Sequence, residues 1–381
     1  MKKILSILLT AFSFLGLLQL HAQTTNDNPL KNLQDGLGYE NSTWVEDWSS
    51  NLDTEAYINA LPKGVNTINV FVGQLAFVEG VASINGYSLD TPGQPPGTGA
   101  FPDVAALTHF VQGCKAAGCS VKLSIGGQAG TTFGNSWSVL NSENVDSFAQ
   151  ALVDLCHTTG ADGADFDYEM DDTTPASFAG AMAGKFKDLA PDLATSCCVF
   201  GGCDASGPWH ACNTSFLAAA VTSQNWCAID RVYVMTYWDY CPLSQNEGFM
   251  TSWSTWLAEQ HGFTPARISA GVDPTDPNTS PTDGTLNTWI SFAAQNGFST
   301  AIWDQQGVEN YVANSWGTII NNIYHQGDTS PIIAPMPPEV VTPTSPDNDN
   351  NTVNEPSTPS TEETWWRWLG WPSSSFQSFT N

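Results

Sequence analysis

The sequence predicts an α/β chain closed into a (β/α)8 barrel of the TIM type, and three observations lead there. Short β-rich runs alternate with longer helix-compatible segments about eight times. Alternation of that kind builds a parallel sheet, and eight repeats are the number that closes it. The span between an apolar leader and a proline-rich tail, 23–328, also suits one barrel, since such units commonly run to ~250 residues.

Strands are expected at Gly36–Glu40, Thr67–Gly73, Ser120–Ile125, Asp162–Tyr168, Ala194–Phe200, Asp230–Thr236, Arg267–Gly271 and Ser299–Trp303. Apolar residues at helical spacing mark helices at Val104–Ala117, Val145–His157, Phe178–Leu189, Trp253–Gln260 and Tyr311–Tyr324. The last two strands are separated by little more than one helix, so no α+β insertion is expected between them.

The ends read differently. Lys2 and Lys3 precede an apolar run, Ile4 to Leu20, and the small residue Ala22 follows. That order is the signature of a cleaved signal peptide over 1–22, which predicts a secreted, extracellular protein. From Pro331 to Glu363 the chain is rich in Pro, Thr, Ser, Asp, Asn and Glu, a composition that predicts a disordered linker over 329–363. An aromatic stretch, Trp365-Trp366-Arg367-Trp368-Leu369-Gly370-Trp371, lies in the terminal segment 364–381, which is too short to form a core of its own.

Nine cysteines fit an oxidising compartment, so disulfide bonds are expected, with the pairing open and at least one thiol left over. Cys197, Cys198, Cys203 and Cys212 crowd one stretch. No matched pair of ligand pairs suggests zinc, and no metal or cofactor is expected. The formal charge of −27 leaves no basic face to release phosphate counterions, which argues against nucleic acid and against anionic membranes. A monomer acting on a neutral partner is the expectation.

The strongest chemical signal is Asp162-Gly163-Ala164-Asp165-Phe166-Asp167-Tyr168-Glu169. Read as a strand, its period of two puts Asp165, Asp167 and Glu169 on one face and Phe166, Tyr168 and Met170 on the other. The carboxylates then climb the barrel interior to the C-terminal rim, where barrel active sites lie. Carboxylates so close do not all ionise cheaply, so at least one holds a proton near neutral pH. Glu169, the outermost, is placed to act as a general acid on a glycosidic oxygen.

These eight residues resemble the strand-four signature D-G-x-D-x-D-x-E of glycoside hydrolase family 18, the chitinases and endo-β-N-acetylglucosaminidases. Ser124-Ile125-Gly126-Gly127 resembles the family's strand-three S-x-G-G, Met235-Thr236-Tyr237 its strand-six M-x-Y, and Trp303 its strand-eight tryptophan. The resemblance spans roughly residues 30–326 and implies substrate-assisted, retaining hydrolysis of β-1,4-linked N-acetylglucosamine. It casts Glu169 as the acid, Asp167 as the partner of the acetamido N–H, Asp165 as the group sharing a proton with Asp167, and Tyr237 as a donor to the acetamido oxygen. Trp303 would stack beneath the sugar, Gly126 and Gly127 would leave it room, and Tyr39 and Phe71, at the ends of strands one and two, would line the subsites. Met235 belongs to the strand-six motif. Trp238 stands where the family often has Asp, with Asp239 one place late. Trp44, Trp48 and Trp209 are read as rim-loop residues that could extend the platform. Chitin or N-acetylglucosamine oligosaccharides are the implied ligand, with the core of N-glycans, or binding without catalysis, as the other options.

Overall fold

The computed structural model describes residues 38–324, apart from 46–51, 62–63, 88, 90–100, 238–241, 275–284 and 304–315. The leader, the tail, Trp48, Trp238, Asp239 and Cys241 lie outside the described residues.

Eight strands form a closed, all-parallel barrel. In chain order the described strands are β1 (Asn41–Val45), β2 (Thr67–Gly73), the hairpin β3 (Leu75–Val78) and β4 (Val81–Ile84), β5 (Ser120–Gln128), β6 (Gly163–Glu169) and β7 (Ala194–Phe200). A second hairpin, β8 (Cys203–Asp204) and β9 (Gly207–Pro208), precedes β10 (Arg231–Met235), β11 (Ile268–Val272) and β12 (Ser299–Ile302). The barrel runs β1, β2, β5, β6, β7, β10, β11, β12 and closes by pairing β12 with β1. The helices are α1 (Thr54–Asn59), α2 (Val104–Ala116), α3 (Thr132–Asn135), α4 (Val145–Thr159), α5 (Thr173–Leu189), α6 (Ala211–Ala219), α7 (Leu243–His261), α8 (Thr285–Gln295) and α9 (Trp316–Tyr324). Among the described residues one helix, α8, lies between β11 and β12, and no α+β insertion is seen there.

The first strand departs from expectation. It spans Asn41–Val45 rather than Gly36–Glu40, and all five of its residues are buried. The signal is hidden because Asn41, Ser42 and Thr43 are polar. Their polarity is met in part inside the barrel wall: Thr43 Oγ1 donates to the Ile302 carbonyl and Thr300 Oγ1 donates to Asn41 Oδ1, while Asn41 Nδ2 has no partner within 3.5 Å.

Two apolar layers hold the barrel. The larger lies between sheet and helices, and α4 shows how a helix joins it. Val145, Phe148, Ala149, Leu152, Val153 and Cys156 recur every three to four residues and are buried on one face. Gly160, in the left-handed region at φ 77°, then ends the helix. The smaller layer fills the barrel lumen with Trp44, Phe71, Cys198, Tyr233, Met235 and Ala301, against which Tyr237 and Trp303 pack.

The cysteines do not crosslink as expected. All eight described cysteines carry free thiols, six of them donating to a backbone carbonyl or side-chain oxygen. Adjacency explains part of this: Cys197 faces the helices and Cys198 faces the lumen, because neighbours on a strand point to opposite sides. The described residues hold no helix long and apolar enough to cross a membrane.

Candidate active site

β6 carries the chemistry, and the alternation read from its sequence sets the geometry. Phe166 and Tyr168 turn outward into the helix layer, where Phe166 meets Phe186 of α5 and Phe216 of α6 at centroid distances of 6.1 and 6.3 Å. Burying aromatic rings of this size stabilises the fold by about 1.5–3 kcal/mol each, which ties the face of β6 firmly. The C-terminal end is pinned as well. The Tyr168 hydroxyl donates to the Asp172 carbonyl at 2.5 Å, and Asp172 caps α5 by accepting from the Thr174 N–H.

Asp165, Asp167 and Glu169 therefore point inward in ascending order. Asp165 is fully buried and held by four neighbours. Ser196 Oγ donates to its Oδ1 at 2.7 Å; Ser124 Oγ and Trp44 Nε1 donate to Oδ2 at 2.7 and 3.4 Å, and the Cys198 thiol lies 3.9 Å from Oδ2. Burial raises its pKa, opposed by the Lys122 charge and by the Ser196, Ser124 and Trp44 donors. Asp167 is raised well above the usual carboxylate range by burial and then by the charges of Glu169 and Asp165. Burial pushes Glu169 up to about 7, although a hydrogen bond from Asp167 works in the other direction. Asp167 thus shares its proton upward with Glu169, and its Oδ1 has no hydrogen-bonding partner within 3.5 Å.

Beneath this row lies an ion cluster. Lys122 Nζ approaches Glu40 Oε1 at 2.9 Å, Arg231 Nε approaches Glu40 Oε2 at 2.8 Å, and the Tyr233 hydroxyl donates to Glu40. Burial would raise the Glu40 carboxyl, but Lys122 and Arg231 hold it below the usual carboxylate range. Lys122 also donates to Ser196 Oγ at 3.2 Å, and Ser196 donates in turn to Asp165. A continuous hydrogen-bonded path therefore joins the base of the barrel to the acidic row.

The strand-five backbone explains the two glycines differently. Gly126 and Gly127 both lie at positive φ, 101° and 112°. A Cβ on Gly126 would overlap the Asp167 carbonyl oxygen and the Trp137 indole nitrogen. Gly126 thus makes room for Trp137, whose Nε1 donates to the Asp167 carbonyl at 3.1 Å, and not for a sugar as expected. A Cβ on Gly127 would sit 3.0 Å from the Phe71 ring and 3.9 Å from Asp167 Oδ2, so the bare Gly127 lets that ring lie close beside the space in front of the carboxylates.

Other residues gather around that space. Trp303 follows β12 directly, and its ring meets Trp44 and Phe71 edge-on, each at 6.4 Å. Met235 ends β10, and Tyr237 lies just beyond it with Cys198, Glu169, Asp167 and Asp273 around its hydroxyl. Burial, followed by those groups, raises the Tyr237 hydroxyl well above its ordinary pKa, so it remains a donor. Asp273, buried at the end of β11, is a carboxylate near Tyr237 that sequence reasoning missed.

Two aromatic assignments are corrected. Tyr39 precedes β1 and sits at the opposite end of the barrel. There it packs on Tyr324 at 5.4 Å and lines a hollow of about 440 Å³ with Asp192, Asp230 and Arg231. Moving the strand five residues along makes Trp44 the inward aromatic of β1 rather than a rim-loop residue. Trp209 is on the rim, 56% exposed, beside the β8–β9 hairpin. Ser124, Ser196, Cys198 and Lys122 act through contacts between strands, and Trp137 through a contact from the 3-10 turn after α3, none of which a linear pattern displays; only Ser124 lay in a recognised motif.

One group of metal-ligand types lies nearby. Donor atoms of Asp171, His210 and Cys212 fall within 4.8 Å of one another. Asp171 and His210 already pair in the open at 3.2 Å, and burial, then the Asp171 charge, raises the Cys212 thiol to about 11, so a cation there would have to displace a firmly held proton.

The sequence matches no family model and no curated protein. Its fold does match solved structures. A glycoside hydrolase family 18 chitinase from Pseudoalteromonas aurantia aligns at TM-score 0.52 and 17% identity over 75% of this chain and 99% of that one. A chitinase from Bacteroides thetaiotaomicron aligns at 0.53 and 11% identity, over 77% and 98%. A family 18 chitinase variant from Cycas revoluta in complex with (GlcNAc)4 aligns at 0.52 and 12%, over 75% and 99%. At these identities the likeness is one of fold. The chain is a closed (β/α)8 barrel of the form that family 18 chitinases have.

Proposed function

We propose that the chain is a family 18 glycoside hydrolase that cuts β-1,4-linked N-acetylglucosamine polymers by a substrate-assisted, retaining route. One observation carries this reading: three inward carboxylates ascend β6 to the C-terminal rim, the last of them, Glu169, raised to about 7. The (GlcNAc)4 bound to the Cycas revoluta chitinase supports the substrate class.

In this reading Glu169 gives its proton to the glycosidic oxygen as the bond to the anomeric carbon breaks. The substrate's acetamido carbonyl attacks that carbon and forms an oxazolinium ion. Asp167 holds the acetamido N–H and offsets the positive charge that develops, while Tyr237 donates to the acetamido oxygen. Water then opens the ring with retention and returns a proton to Glu169. The Trp303, Trp44 and Phe71 rings form an apolar floor on which a pyranose face can rest.

The missing α+β insertion leaves the groove shallow, which favours internal cleavage. We further infer an exported, monomeric enzyme, on the basic–apolar–small order of residues 1–22 and the acidic charge.

Glu169→Gln tests the central assignment on a chromogenic chitobioside. A loss of about 10²–10⁴-fold in kcat is expected, the usual contribution of a general acid; hydrolysis at the wild-type rate would remove Glu169 from the role. A product profile on chitin oligomers beside a high-mannose glycopeptide tests the polymer, and early viscosity loss on soluble chitin tests internal cleavage.

A further inference from the structure

Cys198 is distinct among the described cysteines. Cys119, Cys156, Cys203 and Cys227 give their thiols to backbone carbonyls, and Cys212 gives its thiol to the Asn213 side chain. Cys198 alone among them turns its thiol on carboxylates. It lies on β7 in register with Asp167 on one side and Tyr233 on the other, 6% exposed within the lumen. Its sulfur is 3.9 Å from Asp165 Oδ2, and its register on β7 places it directly beside Asp167. Asp167 itself is 6% exposed and has an oxygen, Oδ1, with no partner within 3.5 Å.

We propose that Cys198 is a positioning residue for the reaction, its S–H being the donor shared by Asp165 and Asp167 that steadies the Asp167 carboxyl while it passes between Asp165 and Glu169. This rests on the hydrolase reading above. A carboxyl that must exchange partners in a dry lumen needs a donor that is present in both orientations yet weak enough to release it. A thiol meets both needs, being small and a weak donor.

The groups around Cys198 define how it can act. Asp165, Asp167 and Glu169 face it from β6, Tyr233 from β10, and Tyr237 from the segment that follows; Cys197 adjoins it on its own strand. Lys122, on β5, reaches this set through Ser196 and Asp165, and Asp273 reaches it through Tyr237. Burial, then the charges of Asp165, Asp167 and Glu169, keeps the thiol protonated, so it acts as a donor at every pH at which the enzyme would work.

The test compares Cys198→Ala and Cys198→Ser with the wild-type full-length chain on a chromogenic chitobioside across pH. Removing the donor makes Asp167 harder to ionise. The alanine variant should therefore lose about tenfold in kcat, with KM changed less than twofold, and its acidic limb should move to higher pH. Serine restores a donor at the same place, though one that holds the carboxyl more firmly, so it should recover part of the kcat lost in the alanine variant, with the acidic limb at or below the wild-type position. An alanine variant with a wild-type acidic limb, or a serine variant no better than alanine, overturns the proposal. If the alanine variant does not fold, the serine profile decides alone, and an acidic limb above that of wild type counts against the idea. Glu169→Gln separates the two levels. An inactive Glu169→Gln beside a wild-type-like Cys198→Ala sinks this inference only, whereas an active Glu169→Gln, or an inactive wild type, sinks the hydrolase reading and this inference with it.

Discussion

Glu169 combines two demands that burial alone would set against each other. It must hold a proton at working pH, and it must release that proton to a sugar oxygen. A carboxyl raised to about 7 does both, and Asp167 keeps it from rising further. The acid is protonated below its pKa, so kcat/KM should fall as pH rises through about 7, giving a basic limb there in a pH–rate profile. The same shift affects stability. The ordinary value is 4.5 and the folded value about 7, so the native state binds this proton more tightly than the unfolded chain. The contribution is complete below pH 4.5 and is lost as pH rises through 7. Glutamine cannot lose the proton, so Glu169→Gln should melt a few degrees above wild type at pH 8, with the gap closing towards pH 4 in paired thermal scans. A gap that does not change with pH would mean that Glu169 is not raised.

Elements differ in how plainly the sequence displays them, and the reasons are physical. β2 and β7 appear at their expected bounds because each is a continuous run with strong β formers between clear turn residues. β6 is legible down to the facing of each side chain, since aromatic and acidic residues alternate. β1 is not, because Asn41, Ser42 and Thr43 are polar residues buried in a wall, and their partners lie about 260 residues away on β12. The misplaced strand misplaced Tyr39 and hid the role of Trp44. The glycine pair on β5 gives a similar lesson, as its motif was visible but the need for Gly126 was set by Trp137, from a turn of helix further along. Gly126→Ala should therefore act on the fold: positive φ and overlap with Asp167 and Trp137 each cost about 1–3 kcal/mol, and a loss of about 2–6 kcal/mol is expected in urea unfolding. Wild-type stability in that variant would show that the wall can yield there.

At the scale of the whole molecule, charge is the dominant long-range term. A formal charge of −27 on 381 residues repels itself in the compact state, and salt screens that repulsion. Raising NaCl from about 10 mM to 200 mM should lift the melting temperature by a few degrees, and a fall would mean that favourable ion pairs outweigh the repulsion. The barrel lumen divides this electrostatic burden by height. At the base, Glu40 is locked between Lys122 and Arg231 and held below the usual carboxylate range, so it keeps its charge at lower pH than an ordinary carboxylate does. One layer up, Glu169 is raised to about 7 by burial, and Asp167 beside it is held well above the usual carboxylate range. The frame and the titrating pair thus occupy separate levels of one tube, joined by the Lys122–Ser196–Asp165 path and by Tyr233, which packs on Trp44 at 5.0 Å. A lineage could retune its working pH by changing the residues around the upper pair while the lower cluster keeps the barrel standing, so acidity of the habitat and integrity of the scaffold become independently adjustable traits.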